Sequence, residues 1–456
     1  MRIRRLTLVK ISFLLALCGS AADRSGASET FRFTRGSNRD GLSQVEITMQ
    51  VGGDLRLTPA GAKQARKVPM SVLANLIYQE RVLDVTNSSG RLAYRYYETA
   101  KAAIKIDKGG QTPQLSDTHK LVGVQRADNA ETMFCPKGRL TREELDLIEL
   151  PGSSLVVDDL LPADPVAVGG TWKADDRTLA LLLGLEAVSF HEVQSTLIEV
   201  KDNRAVVTLG GTVGGAIGGV GTEMEIKAKY TFDLKQRRIN WFALLIKEKR
   251  AVGHIGPGLD IVAKVIMKIS PLAQSDRLND EVLDKLPHTM SPQLKMLGYT
   301  APKGEFRFAY NPRWFVTSEE RDLVVLRMVN RGDLVAQCNI SPIRSGAKTV
   351  TLADFQKDVE RALGKSFAQF VQATEYTPRP GTRVYRLVAR GEVSGLPIEW
   401  IYYLIAGQDG QRVSVSFTLE TDLADEFGKA DREIVDELQL SKPAVEAAAK
   451  PAPKKS

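Results

Sequence analysis

Apolar and polar residues alternate with a period of two along several stretches of this chain, and that rhythm admits little but β-structure. Val45, Ile47, Met49 and Val51 alternate with polar neighbours, Gly52-Gly53-Asp54 reads as a turn, and Leu55 and Leu57 resume the pattern. Val68, Met70, Val72, Ala74 and Leu76 repeat it toward Tyr78. Leu197–Val200 and Ala205–Leu209 read as one hairpin, Glu223–Phe232 and Arg238–Lys249 as another. Helical signals are few here. Thr141-Arg142-Glu143-Glu144 is a capping box before Leu145, Leu147 and Ile148, and Thr178–Leu185 is a second short candidate with Gly184 near its end. Residues 30–275 are therefore predicted to form a large curved antiparallel sheet or an open β-barrel.

Residues 276–299 are polar and broken by Pro287, Pro292 and Gly298, which reads as a linker with a short helix near Asp280–Leu286. The pattern changes over 300–440. Phe306–Tyr310 is a strand, and Leu323–Val329 and Leu334–Ile340 flank the turn Arg331-Gly332-Asp333. Thr351 caps a helix with Leu352, Phe355, Val359 and Leu363 on one face, closed by Gly364. Three strands follow, Arg383–Arg390, Ile398–Ile405 and Arg412–Leu419, then a helix striped by Leu423, Phe427, Ile434 and Leu438. The order β-β-β-α-β-β-β-α makes this half α+β, and so the chain as a whole.

That order, opening on a strand into Tyr310-Asn311-Pro312-Arg313-Trp314, resembles the PsbP-like fold. The family includes the extrinsic P subunit of the photosystem II oxygen-evolving complex and exported bacterial relatives. The resemblance covers about 140 residues. It implies an α/β sandwich acting as a non-catalytic interaction module outside the cytoplasm, and it carries over no functional residue. In the strand-rich half, Val168-Gly169-Gly170-Thr171-Trp172 and Tyr230-Thr231-Phe232-Asp233 resemble exported lipoprotein-carrier half-barrels.

The two ends differ from the middle. Arg2, Arg4 and Arg5 precede a mostly apolar Leu6–Leu17, and Gly19-Ser20-Ala21-Ala22 offers small residues for cleavage. Residues 1–22 thus read as a signal peptide, and the mature chain as secreted or periplasmic. Leu15-Ala16-Leu17-Cys18 also resembles a lipobox with a bulky Leu17, in which case Cys18 would carry a lipid anchor. Residues 441–456, rich in Ala, Pro and Lys, read as a disordered basic tail. Of the net charge of +7, the first 22 residues hold +4 and the last 16 hold +3. The remainder is neutral, which argues against a basic nucleic-acid face. No apolar run reaches the ~18 residues of a membrane-spanning helix.

Candidate chemistry is sparse. Three cysteines are too few for a disulfide scaffold or a four-thiolate zinc site. Cys135 and Cys338 either pair across the two halves or stay as separate buried thiols. Gly210, Gly211, Gly214, Gly215, Gly218, Gly219 and Gly221 form a glycine-rich stretch. Without a Walker lysine or a following helix it does not read as a phosphate cradle. It reads as a mobile loop, a glycine-kinked strand close to another backbone, or a flexible lid over an apolar cavity. His119, His191, His254 and His288 are too dispersed for a histidine metal site. His254, near glycines and Asp260, lacks a serine elbow. The acidic pairs Glu143/Glu144, Asp158/Asp159, Asp175/Asp176 and Glu319/Glu320 lack an aromatic-lined cleft, and Leu160, Leu161 and Pro162 interrupt any calcium loop that would include Asp164. Trp172, Trp241, Trp314 and Trp400 read as core or edge anchors, with Trp314 and Trp400 as a candidate aromatic platform.

These readings predict no cofactor and no metal. They predict an exported, non-enzymatic protein that holds an apolar small molecule or lipid in its β-rich half or docks on a protein partner. Two alternatives stand beside that expectation: a structural subunit of an envelope or extracellular assembly, and a hydrolase with an unrecognised site, which would need activity lost on His254→Ala with folding intact.

Overall fold

A computed structural model describes residues 29–34, 41–57, 66–83, 91–127, 130–343, 350–407 and 410–441. Cys18, the rest of the predicted signal segment and the residues beyond 441 lie outside them. The chain begins with β1 (Thr30–Phe31), then three long strands, β2 (Leu42–Leu57), β3 (Arg66–Leu83) and β4 (Arg91–Ile106). Short strands β5 (Gly109–Gln111), β6 (Leu121–Ala127) and β7 (Ala130–Phe134) lead to helix α1 (Arg142–Ile148), β8 (Val166–Ala167), β9 (Thr171–Trp172) and helix α2 (Asp176–Leu183). Then come β10 (Ala187–His191), β11 (Gln194–Lys201), β12 (Arg204–Ile217), β13 (Val220–Asp233), β14 (Arg238–Arg250) and β15 (Gly258–Pro271).

These strands build one antiparallel sheet in the order β7-β6-β4-β3-β2-β15-β14-β13-β12-β11-β9, with β5 beside β4 and β10 beside β12. The sheet is open and does not close into a barrel. β2 runs straight through Gly52-Gly53-Asp54, where a turn is predicted. The glycine there answers to a close neighbour instead: a Cβ on Gly53 would lie 2.3 Å from the Asp260 carbonyl oxygen on β15.

One face of the sheet, here the inner face, carries Val45, Ile47, Leu76, Tyr78, Val207, Tyr230, Phe242, Leu244, Val265 and Met267, all buried. The segment between β7 and β10 covers it. Leu147, Ile148, Leu155, Val156, Val157, Leu160, Leu179 and Leu183 join the same apolar core. α1 starts on a complete capping box at Thr141 and Glu144, and α2 is capped by Asp175 and stopped by Gly184 in the left-handed region. The Tyr230 hydroxyl donates to the Leu160 carbonyl at 3.1 Å, and the Trp172 indole donates to the same oxygen at 2.8 Å.

Residues 276–299 are a docked segment rather than a bare spacer. Helix α3 (Asp280–Leu283) brings Leu283, with Leu278 and Leu286, onto Leu42, Leu92, Tyr94, Leu121 and Phe134 at one end of the large sheet. Arg81 donates to the Leu278 carbonyl at 3.0 Å.

The second half runs β16 (Leu297–Thr300), β17 (Phe306–Tyr310), β18 (Trp314–Glu320), β19 (Leu323–Asn330), β20 (Asp333–Ile343), α4 (Leu352–Leu363), β21 (Phe367–Arg379), β22 (Thr382–Val393), β23 (Leu396–Ala406), β24 (Arg412–Glu420), α5 (Ala424–Phe427), α6 (Ala430–Val435) and β25 (Gln439–Leu440). β16, β18, β21 and β25 are additional to the predicted order. The single closing helix is two short ones, parted by Gly428 at φ +60. The main sheet is antiparallel, in the order β18-β19-β20-β24-β23-β22-β21. α4 packs Phe355 and Val359 on Tyr385, Leu387 and Leu404. On the other face the rings of Phe417 and Phe427 lie 5.8 Å apart. The whole is a large β-rich α+β fold.

Candidate functional site

Three clusters hold the groups with chemical potential, and the large sheet positions the first. β3 and β4 place Glu80 and Arg95 opposite each other in register, beneath the segment that covers the inner face. Arg95 donates from Nε to Glu80 Oε2 at 2.7 Å and from a terminal nitrogen to Ser153 and Ser154 at 3.1 and 3.2 Å. Ser153 donates to Glu131 at 2.8 Å, and the guanidinium lies 5.0 Å from the centre of the Tyr78 ring. Side-chain exposure of Arg95 and Glu80 is 3% and 6%, so neither meets solvent. Burial pushes the Glu131 carboxyl upward against the pull of Arg95, and pushes the Tyr97 hydroxyl up to about 12. Among the described residues, none meets the buried Tyr97 oxygen with hydrogen-bond geometry. Arginine, both acids and both serines are consumed by one another. The cluster ties the covering segment to the sheet and offers no access for a substrate.

The second cluster joins His119, Glu144 and Cys135. His119 Nδ1 lies 2.8 Å from Glu144 Oε2, and the backbone N–H of Ser116 donates to Glu144 Oε1 at 3.1 Å. Gly138 sits between the imidazole and the thiol: a Cβ there would lie 2.9 Å from His119 Nε2 and 4.0 Å from Cys135 Sγ. A cysteine, a histidine and an acid make a nucleophile set only if the thiol is ionised. Here burial pushes the Cys135 thiol upward, and the side chain is 1% exposed. This thiol is closed off and stays protonated. Sequence reading missed the grouping because 16 residues separate His119 from Cys135 and only the capping box signals Glu144.

The third cluster ties α6 to the second sheet. Arg386 Nε donates to Asp431 at 2.9 Å and to the Tyr403 hydroxyl at 2.8 Å, and Tyr403 donates to Asp431 at 2.6 Å. All three residues are buried.

Other candidates fall elsewhere. Cys135 and Cys338 are both free and buried, so the pairing that the sequence left open is not formed. Cys338 faces inward on β20, where burial and the Asp431 charge push its thiol well up. The glycine stretch is no lid. Gly210, Gly211, Gly214 and Gly215 lie within β12, paired with β13 on one side. On the other side β12 changes partner, from β11 up to Gly210 to β10 from Val213. At that switch there is no room for side chains: a Cβ would lie 2.2 Å from the Glu192 carbonyl at Gly211 and 2.1 Å from the Phe190 ring at Gly214. Gly218 and Gly219, at φ +55 and +66, form the turn, and Gly221 is the second residue of β13. His254 is exposed and contributes its carbonyl, which accepts from Arg327 at 2.8 Å. Trp314 is buried against Phe417 and Phe427, and Trp400 is buried in β23, so they form no open platform. Among the described residues no group of three or more His, Cys, Asp or Glu could hold a metal ion, and no helix is long and apolar enough to cross a membrane.

No known protein family and no curated protein matches the chain. Among solved structures, the cyanobacterial PsbP (CyanoP) of Synechocystis aligns over 32% of this chain and 92% of its own at 16% identity, with a TM-score of 0.26. A protein of Bacteroides thetaiotaomicron aligns over 32% of this chain and 48% of its own at 13% identity, with a TM-score of 0.24. The translocator domain of the autotransporter NalP from Neisseria meningitidis spans 84% of this chain and 88% of its own, at 8% identity and a TM-score of 0.13. At these scores none of the three fixes a fold or a function for the chain.

Proposed function

We propose that this chain is an exported, non-enzymatic interaction protein that works through its surface, with a second half of the PsbP-like kind. The observation that carries this reading is the filled inner face of the large sheet. A half-barrel carrier keeps that face hollow and lines it with apolar side chains. Here Leu155, Val156, Val157 and Leu160 occupy it, and the buried Arg95–Glu80 pair locks the segment that supplies them. An apolar ligand would have to displace this packing, so the carrier version of the expectation loses ground to docking on a partner. Support for the sandwich assignment is the placement of α4 on one face of the second sheet and α6 on the other. Export rests on the basic, apolar and small-residue order of residues 1–22.

The test is the mass of the naturally exported protein under native and then denaturing conditions. The expected result is no small molecule lost on denaturation. A ligand released at that step would restore the carrier reading. The denatured mass also reads the cleavage site and any lipid on Cys18.

A further inference from the structure

The outward face of the large sheet carries a charge pattern that the neutral sum of the folded chain conceals. Residues directly opposite one another on neighbouring strands share a face. Lys229 on β13 stands opposite Ala243 on β14, and Ala243 opposite Ile266 on β15. One step along, Lys227, Leu245 and Lys264 form the next row, then Glu225, Lys247 and Val262. Trp241 stands opposite Lys268. These three strands thus show six lysines outward, with Lys249 the sixth, against Glu223, Glu225 and Asp260. Glu225 is taken by Lys247 at 2.9 Å and Lys227 at 3.5 Å, and Asp260 by Arg56 at 2.9 Å. Lys229, Lys264 and Lys268 are exposed and form no ion pair among the described residues. Lys229 and Lys268 line a depression of about 630 Å³ with Arg204 and Trp241, where Glu199 is the one acid. Glu46 on β2 stands beside Lys268 and is the acid nearest in register to the unpaired lysines.

Apolar side chains are set among these cations. Leu73 is 52% exposed and Val262 45%, while Leu245, Ile266 and Trp241 are half-buried. We propose that this face docks on an anionic phospholipid surface, with Lys229, Lys264 and Lys268 against the headgroup phosphates and Leu73, Val262 and Trp241 at the headgroup boundary. Lysine ammonium groups on a broad sheet gain from the negative potential of such a membrane, and tryptophan favours that interface. A nucleic-acid groove would instead call for stacking aromatics and arginine forks, and this face offers aliphatic side chains and point charges. The proposal deepens the interaction reading and rests on it for the compartment in which the lipid is met.

The experiment is co-sedimentation of the purified full chain with phosphatidylcholine vesicles containing 30% phosphatidylglycerol, and with phosphatidylcholine alone. The expected result is partitioning onto the anionic vesicles alone, weakening as salt rises. The triple variant Lys229→Glu, Lys264→Glu, Lys268→Glu should lower that partitioning at least tenfold while keeping the parental circular dichroism and Tm, since all three side chains are exposed. The control triple Lys285→Glu, Lys357→Glu, Lys365→Glu changes net charge equally on other surfaces and should leave most binding intact. Equal partitioning onto both vesicle types, no binding to either, or equal losses in the two triples would overturn the proposal. Duplex DNA that binds more tightly than vesicles at matched phosphate, through the same three lysines, would overturn it in favour of nucleic acid. Failure here leaves the reading of a surface-acting protein with a filled core standing, because the mass measurement tests for a held ligand separately.

Discussion

Gly219, in the turn between β12 and β13, meets Gly332, in the turn between β19 and β20, backbone to backbone. A Cβ on Gly219 would lie 1.6 Å from the Gly332 Cα, and one on Gly332 would lie 2.5 Å from the Gly219 carbonyl oxygen. The tip of the large sheet and the tip of the second sheet therefore touch at a point that admits no side chain. The Gly219 N–H is also spoken for, donating to Glu186 at 3.0 Å. Gly219→Ala adds left-handed strain at φ +66 to this collision, and a destabilisation of about 2–3 kcal/mol is expected. Gly221→Ala, with nothing within 4 Å of its Cβ, should change stability by less than about 1 kcal/mol. Thermal unfolding of the two variants checks this. A Gly219→Ala chain as stable as Gly221→Ala would mean the tips do not touch.

Among the described residues Arg95 is the only ion-pair partner of Glu80, and both are buried. Arg95→Met leaves that carboxylate without its cation and should cost about 3–5 kcal/mol in urea unfolding. The double variant Arg95→Met, Glu80→Met removes that carboxylate but still leaves Glu131, which Arg95 meets at 3.7 Å, so it should recover part and not all of the loss. A double variant at least as unstable as the single would show that packing, and not the charge, dominates at this position.

How much of this was legible beforehand follows from where each residue points. β2, β3 and β13 face core on one side and water on the other, so their alternation survives in the sequence. β21 does not: it is the edge of its sheet, exposed along most of its length, and three register breaks against β22 scramble the period of two. β18 was hidden in the same way by a shift between Val316 and Ser318. Leu155-Val156-Val157 is an apolar run with no period at all, and only the fold shows it lying across the inner face. The charge sum misled most. It is a scalar, and the segregation of Lys229, Lys264 and Lys268 onto one face depends on register between strands, which no count contains.

Glu149, at the end of α1, is pushed up to about 7 by desolvation of its carboxyl, then by the neighbouring Asp146 charge, against the pull of Arg142. Its ordinary value is 4.5. Between those two pH values the folded chain holds a proton that the unfolded chain has released, so stability falls as pH rises from about 4.5 to about 7. Solvent still reaches this side chain, which screens the effect to on the order of 1 kcal/mol. Glu149→Gln should therefore raise Tm at pH 8 and leave it unchanged at pH 4. An equal gain at both pH values would assign the effect to something other than ionisation.

Cys135 and Cys338 make a chemical prediction that also bears on the compartment. Each thiol is buried, free and pushed upward by burial, so each should remain protonated at neutral pH and shielded from reagent. In the native state a thiol-specific reagent should label neither, and after denaturation it should label both at once. Because no bridge joins the two halves, unfolding should occur at the same Tm with and without reductant, even for protein taken from an oxidising compartment. A mass short by two hydrogens, or a Tm that falls when reductant is added, would restore the bridge. It would also require the core around His119 and Asp431 to rearrange, since the two thiols lie in separate neighbourhoods, one beside Gly138 and the other near the Asp431 charge.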